Sequence, residues 1–318
     1  MTANQGLPQL FARRLLVVTG KGGVGRTTVA CALAVSAARL GLKVLLAQAK
    51  TGNRAHLGEL LGAPGPFDEV RRVQDNLFAV TMTPEAALRE YGTMILHSAF
   101  VYKQVFERDV VRAFLRAVPG LLDYSMLGKV WYHTTEEVRG RPRYDLVVFD
   151  APATGHSITM LKIPSVILGT VPEGPLTGPA RACQALLTDP ARCLALLVTL
   201  AEDLPVSETL QLSRGLAELK ISRGPVVINR VYSPWFNSGT NLLALSDCLA
   251  APEAHQDLAP LLSAAQLARE RNELNERYLA YLAEHLDAPQ IRLPHLFTRE
   301  FQRAAIDDLA DRLSGQIM

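Results

Sequence analysis

The 318-residue chain has almost no net charge, no long hydrophobic run and no paired cysteines. Each absence removes a class of function. The longest apolar runs, such as Leu194–Leu200, fall far short of the about 20 residues that cross a bilayer, so no membrane insertion is expected. A formal net charge of +2 argues against a nucleic-acid tail and against a polybasic membrane anchor. Cys31, Cys183, Cys193 and Cys248 are scattered without a CxxC pair, which disfavours a zinc site within the chain. They read as small buried apolar residues in a reducing cytoplasm. Residues 1–14 lack a basic start followed by an apolar core, so no secretion signal is read there. Residues 1–12 are expected to be a flexible lead to one domain over 13–318. No internal repeat or low-complexity segment occurs. The remaining composition, 48% hydrophobic and 20% charged, is ordinary for a globular chain long enough to bury a large core.

What is present centres on residues 15–31, LLVVTGKGGVGRTTVAC. Leu15 to Thr19 read as a buried strand. A glycine-rich turn, Gly20-Lys21-Gly22-Gly23-Val24-Gly25, leads into Arg26-Thr27-Thr28 and an alanine-rich helix to about Leu40. Strand, glycine loop and helix in this order form a phosphate cradle. Glycines let backbone N–H groups curl round an anion, and the helix start adds unpaired N–H groups and positive dipole. The P-loop pattern G-x-x-x-x-G-K-[ST] reads GKGGVGRT here, so Arg26 stands at the lysine position. Thr27 stands where the P-loop hydroxyl ligates Mg²⁺. Lys21 adds a second cation early in the loop. A lysine there resembles the deviant P-loop of the MinD, nitrogenase-iron-protein and arsenite-pump ATPases. That resemblance implies a lysine reaching across a dimer interface to the partner's nucleotide.

Further strands are predicted over Lys43–Gln48, Leu77–Met82, Arg143–Asp150, Leu194–Thr199, Pro225–Asn229 and Gln290–Leu293. Helices are predicted over about Val206–Leu219, Ala264–Leu286 and Arg299–Leu313. Strands alternating with helices indicate an α/β fold with a doubly wound, mainly parallel sheet. Residues 85 to about 140 differ. Val101, Val105, Val110, Phe114 and Val118 recur at helical spacing, and aromatics gather from Tyr91 to Tyr132. This segment is read as an inserted helical subdomain, with a core of its own favoured over a bare apolar surface. Asp150 ends an apolar strand and is placed to hold Mg²⁺ through water. Ala151–His156 is expected to be a tight hydrogen-bonded loop. Asn229 ends its strand where an amide can read an adenine edge, or simply serves as a turn residue.

These residues resemble one family closely. GKGGVGRTT, VVFDAPATGHSITMLKIP at 147–164 and the Asn229 strand are similar to the ArsA family, which holds the arsenite-pump ATPase and the targeting ATPase for tail-anchored proteins. DAPATGH keeps the length and most residues of that family's DTAPTGH switch II. EDLPVSET at 202–209 resembles its PE-x-L-P-x-x-E-T stretch. Arg271, Tyr278 and Leu279 fit its late R-x-x-x-Q-x-x-Y-L helix, with Asn275 in place of glutamine. Leu293-Pro294 fits the loop that packs on adenine. The resemblance spans roughly residues 13–300. It implies ATP and Mg²⁺ as cofactors, with Gly22, Gly23, Val24, Gly25, Arg26, Thr27, Thr28, Asn229 and Pro294 binding nucleotide. Thr27 and Asp150 would serve the metal, and Asp150 and a partner's Lys21 would be catalytic. It also implies a dimer, either of two copies or with a paralogous ATPase.

Three departures limit the transfer. Arg26 replaces the P-loop lysine, and a planar fork is not equivalent to a compact ammonium in a tight cradle. The family's D-P-A-H switch I aspartate, which positions or activates the attacking water, falls at about Lys50, and no acidic residue lies between Lys43 and His56. The arsenite-binding cysteines and the methionine-rich client groove are not evident, with six methionines in all. Two readings therefore stand beside each other. One is a nucleotide-gated dimer switch, a weakly active subunit whose Lys21 completes a related partner's site. The other is an active Mg²⁺-dependent ATPase homodimer driving a client-transfer or transport cycle, with a protein client at the helical subdomain. A MinD-like positioning ATPase fits less well, because the terminal helix carries Asp307, Asp308 and Asp311 and no basic face.

Overall fold

A computed structural model describes residues 9–50, 57–96, 120–174, 177–234, 247 and 258–317. In chain order the elements are β1 (Leu15–Gly20), α1 (Arg26–Arg39), β2 (Val44–Ala49), α2 (Leu57–Leu61), β3 (Arg71–Gln74), β4 (Leu77–Met82), α3 (Pro84–Leu96) and α4 (Leu121–Thr135). They continue as β5 (Glu137–Val138), β6 (Arg141–Pro142), β7 (Leu146–Asp150), α5 (Thr154–Thr170), α6 (Thr177–Leu187), β8 (Cys193–Leu200) and α7 (Asp203–Glu218). Last come β9 (Arg223–Val231), α8 (Leu258–His285), β10 (Gln290–Pro294) and α9 (Arg303–Ile317).

Eight strands form one sheet in the order β10-β9-β8-β1-β7-β2-β4-β3. Every pairing is parallel except β3 with β4. The fold is the mainly parallel α/β architecture that the strand–helix alternation predicts. Both faces are covered, so the inner strands read as continuous apolar runs rather than alternating ones. Leu15, Val17, Val147 and Phe149 point to one face, under α4 to α8. Leu16, Val18, Leu146 and Val148 point to the other, under α1 and α9. This matters for the site, because β1, β7 and β2 lie side by side in the centre. Their C-terminal ends bring Gly20, Asp150 and Gln48 to one edge of the sheet, where α/β folds bind ligands.

Several elements differ from the pattern-based expectation. The helix over DAPATGH begins at Thr154, so only Ala151–Ala153 remain as loop, and Ser157 N–H closes the first turn on the Ala153 carbonyl at 3.1 Å. The terminal helix starts at Arg303 rather than near Arg299. β3 carries no apolar alternation in the sequence, because Arg71 and Arg72 face solvent on a sheet edge. Its turn signal is present in Asp75-Asn76, with Asn76 at φ 61°. The small β5–β6 hairpin turns through Arg139 and Gly140, at φ 54° and 73°.

Within 85–140, α3 and α4 pack on each other, and Tyr91, Tyr124, Met126, Leu127 and Val130 join the core on that face of the sheet. The helical spacing from Val101 to Val118 lies outside the described residues.

One clamp fixes the chain where it leaves β9. Two asparagines one turn apart on α8 hold the peptide of Tyr232. Asn275 Oδ1 accepts the Tyr232 N–H at 2.9 Å, and Asn272 Nδ2 donates to the Tyr232 carbonyl at 2.6 Å. Asn275 Nδ2 also donates to the Ala201 carbonyl beyond β8 at 3.1 Å. Asn275 is buried, so Asn275→Leu leaves a donor and an acceptor without partners. Such groups cost about 1–3 kcal/mol each. The variant should lose about 2–6 kcal/mol of stability in urea unfolding, read as a lower midpoint at unchanged slope.

Candidate functional site

The loop after β1 needs glycine for geometric reasons. A Cβ on Gly20 would stand 2.1 Å from the Val198 carbonyl oxygen of β8. Gly23 and Gly25 both have φ of 91°, in the left-handed region. Gly25 then caps α1, whose first turn carries no acidic residue. Its N–H groups and dipole therefore face the loop with no carboxylate supplied by that turn itself.

A cavity of about 310 Å³ opens there, lined among others by Gly22, Gly23, Gly25, Arg26, Thr27 and Asp150. Thr27 Oγ1 donates to Asp150 Oδ2 at 2.6 Å. A hydroxyl and a carboxylate side by side at a helix start form a hard oxygen donor set that suits Mg²⁺. Asp150 is buried, and desolvation pushes its pKa up. The Thr27 hydrogen bond, the Arg26 charge and the Gln48 amide oppose that shift.

Not every predicted residue lines the cavity. Val24 is buried beneath the loop, and its carbonyl accepts Asn229 Nδ2 at 2.9 Å. Asn229 thus braces the cradle from β9, and its Oδ1 accepts the Arg230 N–H at 3.0 Å. Thr28 sits half-buried in the first turn of α1, and Pro294 ends β10, half-buried. Arg26 Nη1 donates to the Ala151 carbonyl, just beyond Asp150. Lys21 lies on its own chain's α7, with Nζ 2.8 Å from Glu208 Oε1. His156, on the first turn of α5, is exposed and 3.5 Å from Asp123 of α4.

Sequence reasoning overlooked two neighbours of the site. Gln48 lines the cavity and donates to Asp150 Oδ2 at 3.4 Å, while its Oε1 accepts the Thr81 hydroxyl at 3.3 Å. Its signal was a polar residue closing an apolar strand. Glu208 was visible only as part of EDLPVSET. At the ends of β9 and β10, Tyr232 stacks on His295 at 4.9 Å, and Phe297 meets His295 edge-on at 4.6 Å. His295 has its pKa lowered by partial burial and by the nearby Arg230 charge.

The family model for anion-transporting ATPases of the ArsA type matches residues 13–172, which hold the glycine loop, β7 and α5. The chain belongs to this ATPase family. Among relatives of this ArsA-type chain, ATPase BagA of Mycobacterium tuberculosis is 32% identical over 230 residues, covering 70% of the chain and 66% of the relative. A putative arsenical pump-driving ATPase of Halobacterium salinarum is 27% identical over 315 residues, covering 94% of the chain but 43% of the relative. ATPase GET3 of Kluyveromyces lactis is 27% identical over 161 residues, covering 48% and 46%. The chain therefore spans less than two thirds of the length of these relatives. No helix among the described residues of this ArsA-type ATPase is long and apolar enough to cross a membrane.

Proposed function

We propose that the chain binds ATP with Mg²⁺ in the cavity under Gly20–Thr27 and acts as a nucleotide-gated dimer switch. In this reading it is a weakly active subunit whose Lys21 completes the site of a related partner. The observation that carries it is the division of the site. The phosphate cradle and the Thr27–Asp150 pair are in place. Arg26, at the P-loop lysine position, reaches the Ala151 carbonyl, and no acidic residue stands at position 50.

When bound, Mg²⁺ would screen the phosphate charge and orient the terminal phosphoryl group. Thr27 would offer its hydroxyl, and Asp150 would hold metal-bound water. The chain's own contribution is positioning. Backbone N–H groups of the loop and of the first turn of α1 cradle the phosphates. Asn229 keeps the loop in shape. Asn229 therefore serves nucleotide through the loop it braces, and Pro294 would flank the base.

The intact Thr27–Asp150 pair also supports a second reading, an active ATPase homodimer. Phosphate release by the purified chain with ATP and Mg²⁺, beside Lys21→Ala, separates the two. The proposal expects ATP retention with little turnover. Turnover that vanishes with Lys21 would instead establish the active homodimer. Absence of ATP binding would overturn both.

A further inference from the structure

Glu208 stands at the junction of two parts of the site that no sequence pattern connects. Its Oε1 is 2.8 Å from Lys21 Nζ of the glycine loop. Its Oε2 accepts the Thr154 hydroxyl at 3.3 Å. Thr154 is the first residue of α5, four positions beyond Asp150. One carboxylate on α7 therefore touches the loop that cradles phosphate and the segment that follows the candidate metal ligand. The Lys21 and Glu208 side chains are 27% and 33% exposed, so the pair is neither sealed in the core nor fully solvated.

We propose that Glu208 is a positioning residue that stores Lys21 on its own chain and releases it when two chains close on ATP. This rests on the dimer-switch reading above. The physical argument is exclusion. A lysine ammonium 2.8 Å from a carboxylate of its own chain is turned towards α7 and cannot also contact a nucleotide on a neighbouring chain. Lys21 serves a partner only after this pair opens. The second carboxylate oxygen ties that opening to α5, because movement of Thr154 withdraws one of the bonds that orient Glu208. The storage contact opposes premature closure and is broken once in each closing subunit.

Partly exposed ion pairs of this kind shift an equilibrium about 1.4- to 5-fold each. Two copies closing together break two of them. Glu208→Gln keeps the acceptor for Thr154 and removes the charge. It should therefore strengthen ATP-dependent dimerisation roughly 2- to 25-fold, by the same per-pair figure squared.

Two measurements on the full chain test this. The first is the rate at which an amine-acylating reagent modifies Lys21 in the nucleotide-free protein, read by mass spectrometry of the peptide. Lys43 and Lys220 serve as internal controls, since both are exposed. Lys21 should react several-fold faster in E208Q, and E208D, one methylene shorter, should fall between. An unchanged Lys21 rate in both variants overturns the storage contact.

The second is sedimentation with ATP and Mg²⁺ for wild type, E208Q, K21A and K21A/E208Q. The expected result is a tighter dimer in E208Q that is lost on the K21A background. A wild-type dimer that E208Q leaves unchanged or weakens overturns the release step. A chain that stays monomeric with ATP in every variant overturns closure of two copies, and the release step with it, while ATP retention in the phosphate-release assay judges the partner-completing reading separately. The labelling experiment still judges the storage contact in that case.

Discussion

Phosphate release rises by roughly a hundredfold or more when Arg26→Lys and Lys50→Asp are combined, because single catalytic groups are worth about 10²–10⁴-fold. The two substitutions address different deficits. At position 26 a lysine offers a compact ammonium that follows the phosphate charge as it develops. The arginine instead donates to the Ala151 carbonyl, beside the buried Asp150 whose pKa its charge helps to hold down. Its planar fork reaches the segment after β7 through Nη1. At position 50 an aspartate supplies the carboxylate that would orient the attacking water. The backbone there is anchored, since the Lys50 N–H donates to the Met82 carbonyl at 2.8 Å, directly after β2. A carboxylate introduced at this point therefore starts from a fixed position close to Gln48, which already lines the cavity.

Each single variant should give less than the pair, because groups acting in one transition state are not additive. The measurement is single-turnover hydrolysis of ATP with Mg²⁺, with ATP binding measured alongside. If the double variant binds ATP and still turns over no faster, positions 26 and 50 are not the missing catalytic groups.

Gly25→Ala carries the second large effect. Gly25 sits at φ 91° and ψ 30°, and a Cβ there would stand 2.2 Å from Asn229 Nδ2. Alanine in this region of backbone space costs about 1–2 kcal/mol. Displacing Asn229 forfeits its bond to the Val24 carbonyl, worth about 1 kcal/mol more. The total, about 2–3 kcal/mol, is shared between fold stability and the shape of the phosphate cradle. The variant should unfold at lower denaturant than wild type, and ATP should no longer stabilise it. Gly22→Ala is the control. A Cβ at Gly22 meets nothing within 4 Å, so its nucleotide-free stability should stay near wild type. Equal losses in both variants would refute the role assigned to Asn229 and to the backbone of Gly25.

The legibility of this chain divides along a physical line. Local patterns carried the cradle, because a buried strand, φ-permissive glycines and a helix start are properties of neighbouring residues. The same holds for Asp150 at the end of an apolar run and for the mainly parallel sheet. Element ends were less legible, as at Thr154, where a helix begins inside a segment that reads as loop. The exposed edge strand β3 left little apolar pattern, so only its turn residues announced it.

The sequence by itself determined that this is an ArsA-type P-loop protein, with an arginine where lysine is usual and no acidic residue at position 50. Only the tertiary structure decided what those residues touch. Asn229 braces Val24 across 205 positions, and Gln48 meets Asp150 across 102. Lys21 finds Glu208 on a helix that follows the next strand of the sheet. Such contacts depend on strand order and register, which arise from packing the whole core. No local propensity or spacing encodes them.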